Sequence, residues 1–208
     1  SPGNKGRLRL DPEFSKDTTK FEGGSQWTPE TAIRWSNTYN DYDISIHNFY
    51  GYGRSPSIDI NLVDGKIKYE PNYQRIRQIG GTIQKNSGAT LYKFEWLARD
   101  GQKDANLRRG GYLASILGLE HTLYKTIGDN GDLGFLMEYN FDSRRTRSTD
   151  ALQDDIFVAI RLALNDSENT ELLLGSIFDL DGDGQIYQFD FGRRINDSLT
   201  FGIRGAIY

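Results

Sequence analysis

Hydrophobic and polar residues alternate along most of the chain from Ala32 onward, in segments bounded by Asn, Asp, Gly or Ser. The clearest segment is "DIFVAIRLALND", residues 155–166, in which the two sets separate onto opposite faces. One face holds Ile156, Val158, Ile160, Leu162 and Leu164, and the other holds Phe157, Ala159, Arg161, Ala163 and Asn165. A period of two is typical of a β-strand with one apolar face, whereas an amphipathic helix repeats its apolar positions about every 3.6 residues. This segment is therefore predicted to be a strand.

Nine further segments repeat the pattern. Three are as clear as the first, namely "YDISIHNFYGYG", "TLYKFEWLAR" and "DLGFLMEYNFDS". The remaining six cover residues 31–39, 73–84, 111–125, 171–179, 185–193 and 198–207. The ten predicted strands have roughly 8 to 15 residues each, near the length that a tilted strand needs to cross a bilayer.

Short and long links between these segments alternate along the chain. The short links lie near 40–42, 85–88, 126–131, 166–169 and 194–197, and the long polar links lie at 54–72, 100–110 and 143–153, with 180–184 a short link in a long-link place. Such alternation is typical of an outer-membrane barrel, which has tight periplasmic turns and longer external loops. The pattern predicts an all-β fold, an antiparallel up-and-down transmembrane β-barrel over residues 31–208. Residues 1–30 are predicted to be an irregular N-terminal segment or external loop.

Composition is compatible with this prediction and excludes others. The chain has 208 residues, a net charge of -4 and no cysteine, which excludes disulfides and thiolate metal sites. It has no run of about 18 apolar residues, which excludes a transmembrane helix, while barrel strands present only alternate residues to lipid. The 12 tyrosines suit the aromatic girdles of a membrane barrel, although tyrosine also packs well on strands of soluble proteins.

The face opposite the apolar one carries both signs of charge and is predicted to line the lumen. The candidate lining residues are Arg34, His47, Lys93, Glu95, Arg99, Glu120, Glu138, Arg161, Asp190 and Arg204. A lysine or arginine that faces hydrocarbon costs about 2–4 kcal/mol at the midplane, so the absence of charge from the apolar faces supports this assignment. Two interpretations of the lumen charges remain. The charges line a water-filled, weakly selective pore, or they pair across a narrow barrel and plug it.

The segment "DLDGDGQIYQFD", residues 179–190, has aspartates at positions 1, 3, 5 and 12 of an EF-hand loop. An EF-hand needs a helix on each side, but the flanks "ELLLGSIF" and "IYQFDFGRR" have the pattern of strands. We therefore expect a tight hairpin turn at 181–184, with Asp190 on a strand and too far away to complete a calcium site. No metal site is predicted, the alternative being a weak calcium ion held by Asp179, Asp181 and Asp183.

Candidate catalytic groups are few. The only histidines are His47 and His121. Ser45 shares a face with His47, but neighbours of this kind on one strand lie about 6–7 Å apart, too far for a direct hydrogen bond. The chain has no phosphate loop, no dinucleotide-binding glycine pattern and no HExxH motif. No enzyme activity and no cofactor are predicted.

A small basic cluster, Arg144, Arg145 and Arg147, lies in the long link 143–153. Because the chain as a whole is acidic, this cluster favours a solvated loop tip or contact with anionic lipopolysaccharide over a nucleic-acid site.

Several segments resemble a proteobacterial outer-membrane protein family of porin-like β-barrels without an established substrate. They are "TPETAIRWSNTYNDYDISIHNFYGYGRSP", "YKFEWLARDGQ", "GDLGFLMEYNFDSR", "DDIFVAIRLALNDSENTELLLGSIFDLD" and "RRINDSLTFGIRGAIY". The resemblance covers most of residues 28–208 and supplies no catalytic or binding residues. It implies a longer barrel, with strands before residue 1 and after residue 208. The alternation of links agrees, because it puts both ends of this chain outside, whereas bacterial barrels keep their termini in the periplasm. About ten strands are thus expected here and twelve or more in the full-length protein.

The sequence predicts a porin-like channel of the bacterial outer membrane for passive passage of small polar solutes, in contact with membrane lipids and lipopolysaccharide. One alternative is a non-conducting structural or assembly barrel of the cell envelope. A second is a soluble β-barrel that binds an apolar ligand, in which the apolar face of residues 156–164 points inward.

Overall fold

The computed structural model describes residues 19–63 and 66–207, which are almost entirely β-structure. The strands are β1 (Lys20–Phe21), β2 (Thr31–Tyr39), β3 (Tyr42–Tyr52), β4 (Ser57–Val63), β5 (Lys66–Tyr73), β6 (Arg75–Ser87), β7 (Thr90–Lys103), β8 (Arg109–Ile127), β9 (Gly131–Asp142), β10 (Asp154–Ala163), β11 (Glu171–Asp179), β12 (Gln185–Asn196) and β13 (Leu199–Ile207). A short 3-10 helix covers Arg145–Arg147. In these residues no helix has the length and hydrophobicity needed to cross a bilayer.

Ten strands form one antiparallel sheet in the order β13-β12-β11-β10-β9-β8-β7-β6-β3-β2. They are the ten strands predicted from the alternation, with their ends moved by a few residues. The all-β, antiparallel, up-and-down part of the prediction is therefore confirmed. β2 and β13 are the edge strands, and within the described residues no pairing joins them. The sheet is thus open there, and the predicted closure into a barrel is not seen.

The links in this sheet follow the predicted alternation at most places. Residues 40–41, 88–89, 128–130 and 197–198 form short links. Asn40, Gly88 and Gly128 have φ of 50°, 60° and 59°, the left-handed conformation that tight hairpin turns use. The link at 143–153 is long, as predicted, whereas the link after β10 is longer than predicted because β10 already ends at Ala163.

The long polar link expected at 54–72 is instead largely ordered β-structure. β4 and β5 form an antiparallel hairpin, and β1 pairs with β5 in parallel, giving a separate three-stranded sheet. Two residues of the segment predicted to be irregular or an external loop, Lys20–Phe21, thus form strand β1, and β4 and β5 lie outside the large sheet. The sequence does carry the signal: Ile58, Ile60 and Leu62 alternate with polar residues before an Asp-Gly pair, a combination that favours hairpins.

The chain divides into two compact units. The first comprises Asn48–Ile79, Arg99–Gly111 and the described residues of Ser1–Ile33. It contains the three-stranded sheet and the ends of several strands of the large sheet. The second comprises Arg34–His47, Gly80–Ala98 and the described residues of Tyr112–Tyr208, and it contains most of the large sheet.

Candidate functional site: the polar face of the large sheet

The apolar residues of β8 to β13 line up into rows that cross the sheet from strand to strand. The rows are Leu123–Leu133–Leu162–Leu172–Phe191–Ile203, His121–Phe135–Ile160–Leu174–Phe189–Gly205, Leu119–Met137–Val158–Ser176–Tyr187–Ile207 and Leu117–Tyr139–Ile156–Phe178–Gln185. No charged side chain stands in these rows. Met137 and Leu174 are each 52% exposed. This face, called here the apolar face, is a continuous hydrophobic surface that the described residues leave open.

The opposite face, called here the polar face, is the more buried of the two. Its rows include Thr122–Gly134–Arg161–Leu173–Asp190–Arg204, Glu120–Leu136–Ala159–Gly175–Gln188–Ala206 and Gly118–Glu138–Phe157–Ile177–Ile186. Ala159 is 6% exposed and Asn140 7%. Across all described residues only four hydrophobic side chains are buried, against twelve polar or charged ones. This is the reverse of a soluble globular protein, in which large apolar residues fill the interior.

A chain of ion pairs links β7, β8 and β10 across the polar face, reaching over β9. Arg161 Nη2 donates to Glu120 Oε1 at 2.8 Å, and Lys93 Nζ lies 4.0 Å from Glu120 Oε2. Gly118 makes room beside these groups, since a Cβ there would lie 3.4 Å from Lys93 Cβ and from Glu138 Cγ. The structure therefore brings together four of the predicted lining residues, with one carboxylate held between two cations.

A second ion pair lies towards the β13 edge. Arg204 donates to Asp190 Oδ2 from Nε at 2.7 Å and lies 2.5 Å from it through Nη2. The two residues stand opposite each other in the register of β12 and β13. Asp190 is thus on a strand, as predicted, and its carboxylate is paired with a cation. Both side chains are substantially exposed, so we assign this pair little stability of its own.

A pocket of about 400 Å³ adjoins this pair, and its lining includes Arg161, Asp190 and Arg193. Arg193 also approaches the carboxylates of Asp166 and Glu168 at 3.7 Å each. The hydroxyl and the backbone N–H of Thr170 both donate to Asp166 at 2.7 Å, and they hold the pKa of that carboxyl below its usual value. The link between β10 and β11 is therefore held by hydrogen bonds within it and by ion pairs with Arg193 of β12.

The other predicted lining residues lie apart from this ion-pair chain. Glu95 is exposed on the polar face of β7, and Arg34 is exposed on the edge strand β2. Thr38 Oγ1 donates to Asp43 Oδ1 at 2.6 Å, which puts the face of β2 that holds Arg34 and the face of β3 that holds His47 on the same side. Arg99 belongs to the first unit, where its guanidinium donates to Gln78 and Gln102.

The two histidines take part in packing and hydrogen bonding within the sheet. His47 lies close over Gly80, where a Cβ would come within 2.7 Å of His47 Cε1. His121 stands in the apolar rows, and its Nδ1 is 2.8 Å from the hydroxyl oxygen of Thr90. Between β3 and β6, the hydroxyls of Ser45 and Thr82 share a hydrogen bond of 2.8 Å.

The acidic segment 179–190 forms a hairpin, as predicted. Asp179 Oδ1 accepts the backbone N–H groups of Asp181 and Gly182 at 2.8 and 3.1 Å, so this carboxylate organises the turn. The carboxylate of Asp181 accepts a hydrogen bond from Arg145 at 3.0 Å. In the described part of the chain no three acidic or histidine side chains are grouped closely enough to hold a metal ion.

Sequence reasoning missed a buried network in the link between β9 and β10. Arg144 donates to Asp142 at 2.5 Å, to Asp150 at 2.6 Å and to Ser148 at 3.1 Å, and its guanidinium stacks 3.6 Å over the Tyr112 ring. Both ion-paired side chains are buried, Arg144 to 7% and Asp142 to 3% exposure. The spacing Asp-x-Arg at the start of a long link was the available signal, but pattern alone does not distinguish a buried arginine from a solvated one.

The same network corrects the expectation for the basic cluster. Arg145 forms ion pairs with Asp154 and Asp181, and Asp154 also accepts a hydrogen bond from the Tyr139 hydroxyl at 2.6 Å. Two of the three arginines are therefore committed to carboxylates of the protein itself. Arg144 is buried and not part of a solvated tip, whereas Arg145 keeps about half of its side chain exposed.

No family model, curated protein or solved structure matches this chain. The resemblance to porin-like barrels therefore stays a prediction.

Proposed function

We propose that this chain is part of an outer-membrane porin-like channel that passes small polar solutes. The observation that carries the proposal is the reversal of faces in β8 to β13, where the four apolar rows of the exposed face hold no charged side chain while the more buried face holds the ion pairs of Glu120. Monomeric soluble proteins rarely expose continuous apolar patches larger than a few hundred Å². A hydrocarbon solvent removes the cost of that exposure.

The height of the apolar face supports the same proposal. Along β8 its charge-free rows run from Leu117 to Leu123, which is about 20 Å at roughly 3.3 Å per residue. A strand tilt of about 40° reduces this to a charge-free band about 15 Å tall, which fits inside the apolar belt of about 25 Å of outer-membrane barrels. In this proposal the apolar face contacts membrane lipids, with lipopolysaccharide as the outer-leaflet partner.

The polar face then lines the lumen, with Lys93, Glu120 and Arg161 at its centre. Mixed charges of this kind make a wet but weakly selective path, because the carboxylates of Glu120 and Asp190 are each offset by a neighbouring cation. Proposed solutes are therefore small and polar, without a strong preference for one sign of charge.

A non-conducting barrel is the second candidate, and the ion pairs themselves favour it. Arg161 pairs with Glu120, and Arg204 pairs with Asp190, so each of these charges is already neutralised by its partner. Paired side chains of this length can fill a narrow lumen. In that case the protein serves the envelope as a structural or assembly barrel.

Planar-bilayer recording of the detergent-purified protein separates the two. The channel predicts discrete conductance steps. Insertion without conductance, established by flotation of the same preparation with liposomes, contradicts the channel and supports the structural barrel. A monodisperse protein in detergent-free buffer contradicts both membrane proposals and favours a soluble barrel that binds an apolar ligand.

A further inference from the structure

Within the first unit, eight residues line a second pocket of about 370 Å³. Three of them are arginines, Arg75 and Arg77 on β6 and Arg109 at the start of β8. Two acidic side chains, Glu22 and Asp100, complete the charged part of the lining, which leaves one net positive charge. This set is called here the arginine pocket.

Arg77 is the side chain most available to a ligand. It is exposed, and with the described residues it makes neither a hydrogen bond nor an ion pair. Its guanidinium lies 5.5 Å from the centre of the Tyr50 ring, and that of Arg75 lies 4.5 Å from the same ring. Cation–π contact of this kind orients a guanidinium through its flat face, while its N–H donors point outward in the plane of the group.

The other wall of the pocket is fixed by the backbone. Arg109 donates to Glu22 at 2.5 Å and to the carbonyl oxygen of Arg75 at 3.0 Å. Gly101 has a φ of 94°, and a Cβ there would lie 2.5 Å from that same carbonyl oxygen. A glycine is therefore needed for β7 to approach β6 this closely, and the approach brings Arg109 beside Arg75.

Asp100 is the carboxylate of the lining that is available to a ligand. It is exposed and has no hydrogen-bond or ion-pair partner among the described residues. A fully ionised anion beside Arg77 is repelled by this carboxylate, whereas a phosphate that keeps one hydrogen can donate it to the carboxylate. A phosphate monoester carries such a hydrogen on the acid side of neutrality, because its second pKa is about 6.

We propose that the arginine pocket binds a phosphate monoester or inorganic phosphate in its hydrogen-bearing form. The ionised oxygens accept from Arg77, Arg75 and Arg109, as guanidinium groups bind phosphate through paired N–H donors. The P–OH donates to Asp100. The proposal does not rest on channel activity, because the pocket lies in the first unit and binding is measured without a membrane potential.

The test is isothermal titration of the detergent-solubilised protein with inorganic phosphate and with sulfate at about pH 5.5, below the second pKa of a phosphate monoester, and at constant ionic strength. Phosphate is expected to bind more tightly than sulfate, which has no hydrogen to donate. Arg77→Gln is expected to weaken phosphate about tenfold, the usual effect of losing a charged hydrogen bond. Arg54→Gln is the matched control, since Arg54 lies in the same unit outside the pocket and pairs with Glu30.

Asp100→Asn tests the assignment of specificity. It removes the repulsion of sulfate and leaves a side chain that can donate a hydrogen bond. The affinity for sulfate is therefore expected to rise, and the difference between the phosphate and sulfate affinities is expected to become smaller. Equal binding of sulfate and phosphate by the unaltered protein overturns the proposal. An equal loss of phosphate affinity in the Arg77→Gln and Arg54→Gln variants also overturns the proposal. That result indicates a diffuse electrostatic attraction of the anion to the protein and not binding in the arginine pocket.

Two sources can supply the same phosphate chemistry. Titration with short-chain phosphatidic acid, with short-chain diacylglycerol as the phosphate-free control, distinguishes them. If phosphatidic acid binds and inorganic phosphate does not, the ligand is a lipid headgroup. If inorganic phosphate binds as well, the ligand is a soluble phosphate ester. If neither probe binds, the proposal fails, and a bilayer recording made separately still decides the channel.

Discussion

Arg144 shows how a charged residue in a long link becomes part of the protein's interior. Its guanidinium is held by Asp142, Asp150 and Ser148 and covered by the Tyr112 ring. A buried ion pair adds little net stability, yet removing one partner leaves the other charge buried without compensation.

Arg144→Gln is therefore expected to lower the free energy of unfolding by about 3–5 kcal/mol. Urea unfolding of the detergent-solubilised protein, followed by tryptophan fluorescence, measures the change. Arg54→Gln is the control, because its exposed pair with Glu30 is expected to contribute about 1 kcal/mol or less. Equal losses in the two variants contradict the buried network.

Asp166 gives a pH-dependent prediction at the same scale. Because Thr170 lowers the folded-state pKa of this carboxyl, its contribution is complete above the unfolded pKa of about 3.9. The contribution is lost as pH falls through the lower, folded value. Its carboxyl carbon is thus expected to titrate below about pH 3.9 by NMR.

Thr170→Val removes one of the two donors and is expected to raise the Asp166 midpoint. Thr170→Ser keeps the hydroxyl and is expected to leave the midpoint near that of the unaltered protein. An Asp166 titration midpoint that is the same in both variants as in the unaltered protein contradicts a hydrogen-bond origin of the lowered pKa.

Strand β10 presents the apolar face and the polar face in two adjacent residues. Ile160 stands in the apolar rows between Phe135 and Leu174, and Arg161 stands in the polar rows beside Glu120. The environment of each face can therefore be tested with single substitutions.

Ile160→Arg is expected to destabilise the folded protein by about 2–4 kcal/mol if this face contacts hydrocarbon. In a soluble protein the same change at an exposed position is expected to cost about 0.5 kcal/mol or less. Gln188→Arg on the polar face of β12 is the matched control and is expected to have a small effect. Reversible unfolding in lipid vesicles measures both variants, and a neutral Ile160→Arg contradicts the membrane proposal.

The strands were predictable from the sequence because alternation directly reflects the period of two of a strand. All ten segments from residues 31 to 207 are present in the large sheet. The β4–β5 hairpin was missed because its alternation is short and lies in a stretch with many polar residues. The turn at 180–184 was predictable, since only its strand-like flanks were needed to reject a calcium loop.

At the scale of the whole molecule, the proposed channel function predicts that the charges of the polar face set ion selectivity. Glu95 is exposed on that face without a partner among the described residues, and Arg161 is the cation that holds Glu120. Charge reversal at Glu95 and at Arg161 is therefore expected to shift ion selectivity in opposite directions.

Glu95→Lys is expected to shift reversal potentials towards anion preference, and Arg161→Glu towards cation preference. Planar-bilayer recordings under a salt gradient measure both shifts. Arg54→Glu, in the first unit and outside the polar face, is expected to leave the potential unchanged. Unchanged selectivity in both polar-face variants removes these residues from the conducting path.

The sequence by itself determined the strands, their faces and the separation of charge from hydrophobicity, because these properties follow from neighbouring residues. Only the tertiary structure decided which charges meet. Glu120 lies between Lys93 and Arg161 through strand register, and Arg144 is buried by a link folding back on itself. Tertiary structure likewise brought Arg75, Arg77 and Arg109 around one pocket from two strands that are not consecutive. Such contacts depend on backbone placement over tens of residues, which periodicity does not encode.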